Sequence, residues 1–457
     1  MDFLLASLDG AVREVLLFAA TGLLIGGIDD LAVDLCFLLW RLKQGFAQEH
    51  AVDVSFPQPA SMTMAVFVAA WHEAAVIGAM LATTAARLDD PACRIFVGVY
   101  PNDPETIAAA ERAAEQDTRI RVIVGPRPGP TTKADCLNSL WSALCRDDAA
   151  TGRQTEAIII HDAEDVVHAA EWRVFRALLP HHAVVQLPVL PLIRCSWWVS
   201  GHYADEFAYA HGIHQPIRAL LGAPVPLAGT GCAIRSATVV EIADACGGRP
   251  FDPTSLTEDY ELGLRVSASG RGVCFARLRD PTDGSLIAVR AYFPDRFWAA
   301  ARQKARWMMG IALAGWDRVG WGRPWAVADH WMRMRDRRAP IAIIVLTAAY
   351  AAILLMSVTA GVHWVTARPD GGRHLAGWLW WATVSLLVWR FAVRMACTAS
   401  AYGWREGCWA APRFLIGNAV ALAASWIALH RYLQWLRGAA PVWDKTAHRF
   451  PNAETTR

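Results

Sequence analysis

Residues 156–165 read EAIIIHDAED. The run of three isoleucines is short and wholly apolar, as a strand buried on both faces of a sheet requires. Two carboxylates, Asp162 and Glu164, follow it at i and i+2. The same grammar recurs upstream. MAVFVAA (64–70) runs into His72-Glu73, CRIFVGV (93–99) into Asn102-Asp103, and RIRVIV (119–124) is a further strand. Helices are expected over 73–88, 106–116 and 132–145. A β-α-β-α-β-α-β alternation specifies a mostly parallel α/β sheet covered on both faces. Ligands bind such sheets at the carboxyl ends of the strands, where these polar clusters fall.

Outward from this core the composition changes. The chain has 457 residues, 54% hydrophobic and 19% charged, with a net charge of +2. Such a composition excludes intrinsic disorder, and the near-neutral charge argues against a nucleic-acid partner. The ten cysteines form no C-x-x-C pair and read as reduced thiols. Sixteen of the 22 Trp follow residue 297, and no charged residue occurs from Ala339 to Ala367. That run is long enough to span a bilayer. A second span is expected over Leu375–Cys397, with Arg390 and Arg394 near its end, and a third over Val15–Trp40. The latter contains Asp29, Asp30 and Asp34. Either they pair with Arg390 or Arg394, or the helix ends near Ile28 and an interfacial helix follows.

Asp295–Arg338 holds ten Arg/Lys against four Asp/Glu, so the positive-inside tendency places the α/β domain in the cytoplasm. The Trp- and Arg-rich stretch 298–331 fits helices lying at the membrane interface. The loop 368–373 is expected outside. Phe414–Leu429, only 16 residues, is expected as an interfacial or re-entrant helix, with a fourth span as the alternative. The expected plan is a membrane segment (1–43), a cytoplasmic domain (44–293), interface helices (294–338), two transmembrane helices (339–397), and an interfacial helix with a cytoplasmic tail (398–457).

Further polar signals lie downstream. Thr257-Glu258-Asp259 precedes an apolar-periodic helix over 260–266, and a Thr there would equally serve as an N-cap. Gln303, Arg306 and Trp307 form Q-x-x-R-W on one helix face. Asp162 and Glu164 suit a hard divalent cation, Mg²⁺ or Mn²⁺, which would neutralise a diphosphate. His161 and His168 lack metal-ligand spacing and read as structural.

The ordered set of D-x-E, T-E-D and Q-x-x-R-W, followed by membrane helices, resembles membrane-embedded family 2 glycosyltransferases. In particular it is similar to the phage adsorption protein B (NfrB) family. VYPNDPET (99–106), RPGPTTKADCLN (127–138), IIHDAEDV (159–166), SLTEDYELGLR (255–265), QKARWMMG (303–310) and VWDKTAHRFP (442–451) carry the likeness. It implies a GT-A-like (Rossmann-like) domain fused to interfacial and transmembrane helices. It implies an inverting, metal-dependent hexosyltransferase of the bacterial inner membrane. The donor would be a nucleotide sugar and the acceptor a growing surface or exported glycan, with an outer-membrane or export partner.

The resemblance also implies residue roles. Glu73, Asp103, Lys133, Asn138 and Asp162 would bind the donor nucleotide. Asp162 and Glu164 would hold the metal, with Glu in place of a second Asp. Asp259, beside Glu258, would be the catalytic base. Gln303, Arg306 and Trp307 would lie by the diphosphate and acceptor. Two departures touch nucleotide contacts: P-x-x-N-E reads Ala69-Ala70-Trp71-His72-Glu73, and D-D-G reads Tyr100-Pro101-Asn102-Asp103. Relatives carry a further cyclic di-GMP domain, which the resemblance leaves outside this chain. A nucleotide-binding membrane scaffold or phage-receptor component without turnover is the alternative function.

Overall fold

The computed structural model describes residues 2–43, 62–88, 90–194, 197–367, 376–438 and 448–451. The loop expected outside, 368–373, and the WDKT stretch at 443–446 lie beyond the described residues. The domain begins with β1 (Met64–Ala69), α2 (Ile77–Arg87), β2 (Arg94–Val99), α3 (Pro104–Gln116), β3 (Ile120–Val124), α4 (Lys133–Thr151), β4 (Ala157–Asp162) and α5 (Glu171–Leu178), after a first helix α1 (Asp2–Lys43). It continues with β5 (Val184–Gln186), β6 (Val189–Leu192), α6 (Trp197–Tyr209), α7 (Gln215–Leu220), β7 (Cys232–Arg235), α8 (Ser236–Ala245), α9 (Glu258–Ala268), β8 (Val273–Phe275) and β9 (Val289–Tyr292).

The expected alternation is present. Seven strands form one sheet in the order β3-β2-β1-β4-β7-β5-β8, parallel except for β7. Val66, Val68, Ile95, Val97 and Ile159 pack into an apolar layer with α2, α3 and α5. Phe67, Phe96, Ile158 and Ile160 pack on the other face with Leu137, Leu140 and Leu144 of α4. Burial on both faces explains the unbroken apolar runs. β7, inserted between β4 and β5, was not expected, because its four residues carry no period of their own.

The remaining helices form a helical unit expected at the membrane: α10 (Phe297–Trp307), α11 (Gly315–Val319), α12 (Val327–Arg337), α13 (Ala339–Thr366), α14 (Gly377–Tyr402) and α15 (Trp404–Leu436). A π-helical turn over 308–313 follows α10. α1, α13, α14 and α15 are each long and apolar enough to cross a membrane. One of the two open readings of the first segment is excluded. α1 is one unbroken helix of 42 residues and does not end near Ile28. The last helix is 33 residues long, well beyond the 16-residue apolar run, and carries Pro412 inside it.

The acidic trio of α1 is paired, though only partly as expected. Asp30 lies 3.7 Å from Arg390, but Arg335 and Arg338 of the α12–α13 junction also grip Asp29 and Asp30. Asp34 accepts hydrogen bonds from Tyr209 and Trp389, each at 2.9 Å. Arg394 instead stacks over Tyr209 and Phe414. Asp30 and Asp34, 8% and 3% exposed, need such partners because little water reaches them.

Candidate active site

A cavity of about 450 Å³ opens at the carboxyl ends of β1 and β4 and reaches α10. Glu73, Lys133, Asp162, Glu164, Glu258, Asp259, Gln303, Arg306 and Trp307 all line it. Asp103 and Asn138 do not. Asp103 is 3% exposed; its carboxylate accepts the His72 backbone N–H at 2.6 Å and caps α3. Asn138 is held by both the N–H and the carbonyl of Phe251. Trp71 and Tyr100 line the cavity near them, edge to face with centroids 4.9 Å apart.

Lys133 stands at the first turn of α4, just after the Thr132 N-cap. Its ammonium pairs with Asp162 and donates to the Gly229 carbonyl at 2.7 Å. Burial disfavours that charge, but Asp162 and Glu258 outweigh it and hold its pKa above the usual lysine range. Lys133 is therefore a fixed positive charge on the cavity wall. Gly229 sits at φ +76°, and a Cβ there would meet Asp259 Oδ2 at 2.6 Å. The glycine loop thus packs directly against the T-E-D carboxylate.

The Asp259 side chain also accepts the Tyr260 N–H at 2.8 Å. Burial raises its pKa, with Lys133 opposing, and the same burial with the Asp259 charge pushes Glu258 up to about 7. Thr257 makes no side-chain cap bond to α9; it packs against Gly310 instead. On α10, Gln303 lines the cavity, and its buried Oε1 has no partner among the described residues. Trp307 stands among Tyr203, Phe207 and Phe293, with centroids 6.2 to 6.4 Å away. One half of the cavity is therefore charged and the other aromatic.

Sequence reasoning gave no role to His448. Its Nδ1 lies 2.7 Å from Glu73 Oε1 and its Nε2 3.3 Å from Glu164 Oε1. The signal was the matched stretch 442–451, which carries no chemistry by spacing alone. One ligand atom from each of Glu73, Glu164 and His448 falls within 4.8 Å of the others. Burial, reinforced by Asp162, Asp165 and Glu73 but eased by His448, pushes Glu164 up to about 8. An oxygen-and-nitrogen set of this kind suits a divalent cation. His161 and His168 are structural, as expected. His161 sits between Asp165 and Glu171, while His168 bonds Ser285 and the Ala170 N–H.

The family described as Glycosyltransferase like family 2 matches residues 59–310. Bacteriophage adsorption protein B of Escherichia coli (strain K12) is 32% identical over 485 aligned positions, which cover 99% of this chain and 64% of that protein. Bacteriophage N4 adsorption protein B of Escherichia coli O157:H7 matches with the same figures. The chain thus spans somewhat under two thirds of the length of these curated relatives. A mannosyltransferase from Pyrobaculum calidifontis, solved with GDP-Man and Mn²⁺, shares the fold. Its TM-score is 0.54 at 16% identity, covering 92% of this chain and 99% of that one.

Proposed function

Because the chain belongs to glycosyltransferase family 2, we propose that it transfers a sugar, with inversion, from a nucleotide-sugar donor to a surface or exported glycan. The observation that carries this reading is convergence. D-x-E, T-E-D and Q-x-x-R-W, far apart in sequence, line one cavity with a glycine loop and a half-buried lysine. Asp259 takes the proton of the acceptor hydroxyl as its oxygen bonds to the anomeric carbon. The bond from that carbon to the diphosphate oxygen breaks in the same displacement, which inverts the centre. Burial of Asp259 suits it to the role, since a carboxylate with a raised pKa is a stronger base near neutral pH. Lys133 and Arg306 meet charge developing on the leaving diphosphate. Trp307, with Phe207 and Phe293 on the same cavity wall, offers apolar faces to a sugar ring.

Glu164 and His448, with Asp162 or Glu73, would hold a divalent cation, whose chemistry would be to neutralise the diphosphate. The catalytic domain faces the cytoplasm of a bacterial inner membrane, on the basic bias of residues 295–338. α15 lies along the interface on that same side. Ala424 and Ala428 pack on Ala305 of α10, and Arg413 is buried against Asp205 of α6. Ten residue steps join Gly438 to His448, at most ~36 Å of chain. That is too short to return to the cavity across a full bilayer of ~40–45 Å.

Two measurements test the reading. Purified protein, given divalent metal and a panel of nucleotide sugars, should release nucleoside diphosphate from at least one. Silence across the panel would favour the non-catalytic scaffold. Asp259→Asn should lose transfer by ~10²-fold or more while still binding donor; an unchanged rate would reject Asp259 as base.

A further inference from the structure

Tyr260 directly follows the proposed base, and its hydroxyl reaches along the cavity wall to α12. It donates to Asp336 Oδ2 of α12 at 2.8 Å. Asp336 is fixed in turn by a two-pronged pair with Arg218, both contacts at 2.8 Å. Tyr260 and Arg218 are 3% and 5% exposed and the Asp336 side chain 17%, so water has little access to these bonds. Neighbouring residues are tied to the same helical unit. Glu261 pairs with Arg318 of α11, and Thr257 packs on Gly310 of the π-helical turn.

The residues flanking Asp336 on α12 reach the other way. Successive helical side chains diverge by ~100°, so Arg335 points to a different surface from Asp336. Arg335 holds Asp30 Oδ1 at 3.0 Å and the Asp29 carbonyl at 3.1 Å. Arg338 and the Trp331 indole also bond the Asp29–Asp30 pair. α12 therefore bonds the first membrane helix on one side and the T-E-D helix on the other.

Resting on the assignment of Asp259 as base, we propose that Asp336 is a positioning residue. It holds Tyr260, and with it the Asp259 carboxylate, at the acceptor hydroxyl, and the Asp29–Asp30 pair of α1 holds Asp336 in place. Asp336 touches no reacting atom in this scheme. Its contribution is the aim of the base, and aim affects turnover more than donor affinity.

The test is steady-state kinetics on the full-length protein in lipid. Tyr260→Phe, which removes one oxygen, should lower kcat about tenfold with donor KM unchanged. Asp29→Asn with Asp30→Asn should lower kcat similarly in the wild-type background and add little in the Tyr260→Phe background, because both cut one chain of contacts. Should the double α1 variant fail to insert, Trp331→Phe removes a single bond to Asp29 and should show the same non-additivity at smaller amplitude. Wild-type kcat in Tyr260→Phe, or losses that multiply, would overturn the proposal while an inactive Asp259→Asn left the base in place. Wild-type rates in both Tyr260→Phe and Asp259→Asn would overturn the base assignment and the positioning role together.

Discussion

Two histidines of this protein sit between pairs of carboxylates, and they differ in what surrounds the pair. His161 is fully buried under the end of β4, its ring nitrogens 3.1 Å from Asp165 and 2.9 Å from Glu171. His448 lies on the cavity wall between Glu73 and Glu164, its side chain 19% exposed. Burial opposes the charge of both. Even so, Glu171 and Asp165 push His161 up to about 10, and Glu164 and Glu73 push His448 up to about 9. The same triplet thus serves two ends. Asp165 also accepts from Thr230 and from the Asp162 N–H, so the His161 cluster braces the acidic loop against the glycine loop. The His448 carboxylates face an open cavity, where a divalent cation can take over the charge balance.

The sharpest way to break this contrast is to truncate each ring. His161→Ala leaves two buried carboxylates without a counter-charge and should cost about 3–5 kcal/mol of stability, measured by denaturant unfolding. A variant as stable as wild type would mean the cluster is not a brace. His448→Ala should leave stability nearly intact and weaken divalent-metal affinity at least ~10-fold, read by titrating the metal against donor binding. An unchanged metal affinity would remove His448 from the ligand set.

The same His161 cluster can also be tested by pH. The folded His161 pKa lies above its unfolded value near 6.5, so its stabilisation is complete below 6.5 and is lost as pH rises through about 10. The thermal midpoint of the metal-free protein should fall across that window. His161→Asn should flatten the fall, and an equal slope in both proteins would contradict the assignment.

Much of the fold was legible because buried parallel strands must be apolar throughout. MAVFVAA, CRIFVGV and EAIII could hardly be anything else once turn residues bounded them. β7 was hidden because a four-residue strand inherits its identity from its neighbours. The cavity motifs were legible as types in order. Whether each side chain was free to act was not. Asp103 and Asn138 read as nucleotide ligands, yet backbone groups consume their polar atoms. His448 lies far down the chain from Glu73 and Glu164, and no local spacing encodes that meeting. The α1 carboxylates announced that they needed partners, but Arg335 and Arg338 stood in a stretch that read as surface-seeking.

The contact of His448 with Glu73 and Glu164 also fixes an order of assembly. A chain leaves the ribosome from its first residue, and its domains fold roughly in that order. Glu73 and Glu164 emerge long before α13 and α14, and His448 emerges after the four long apolar helices α1, α13, α14 and α15. While those helices are still entering the bilayer, the nascent domain holds only two of the three side chains of this cluster. The cluster is complete only once the membrane unit has been synthesised.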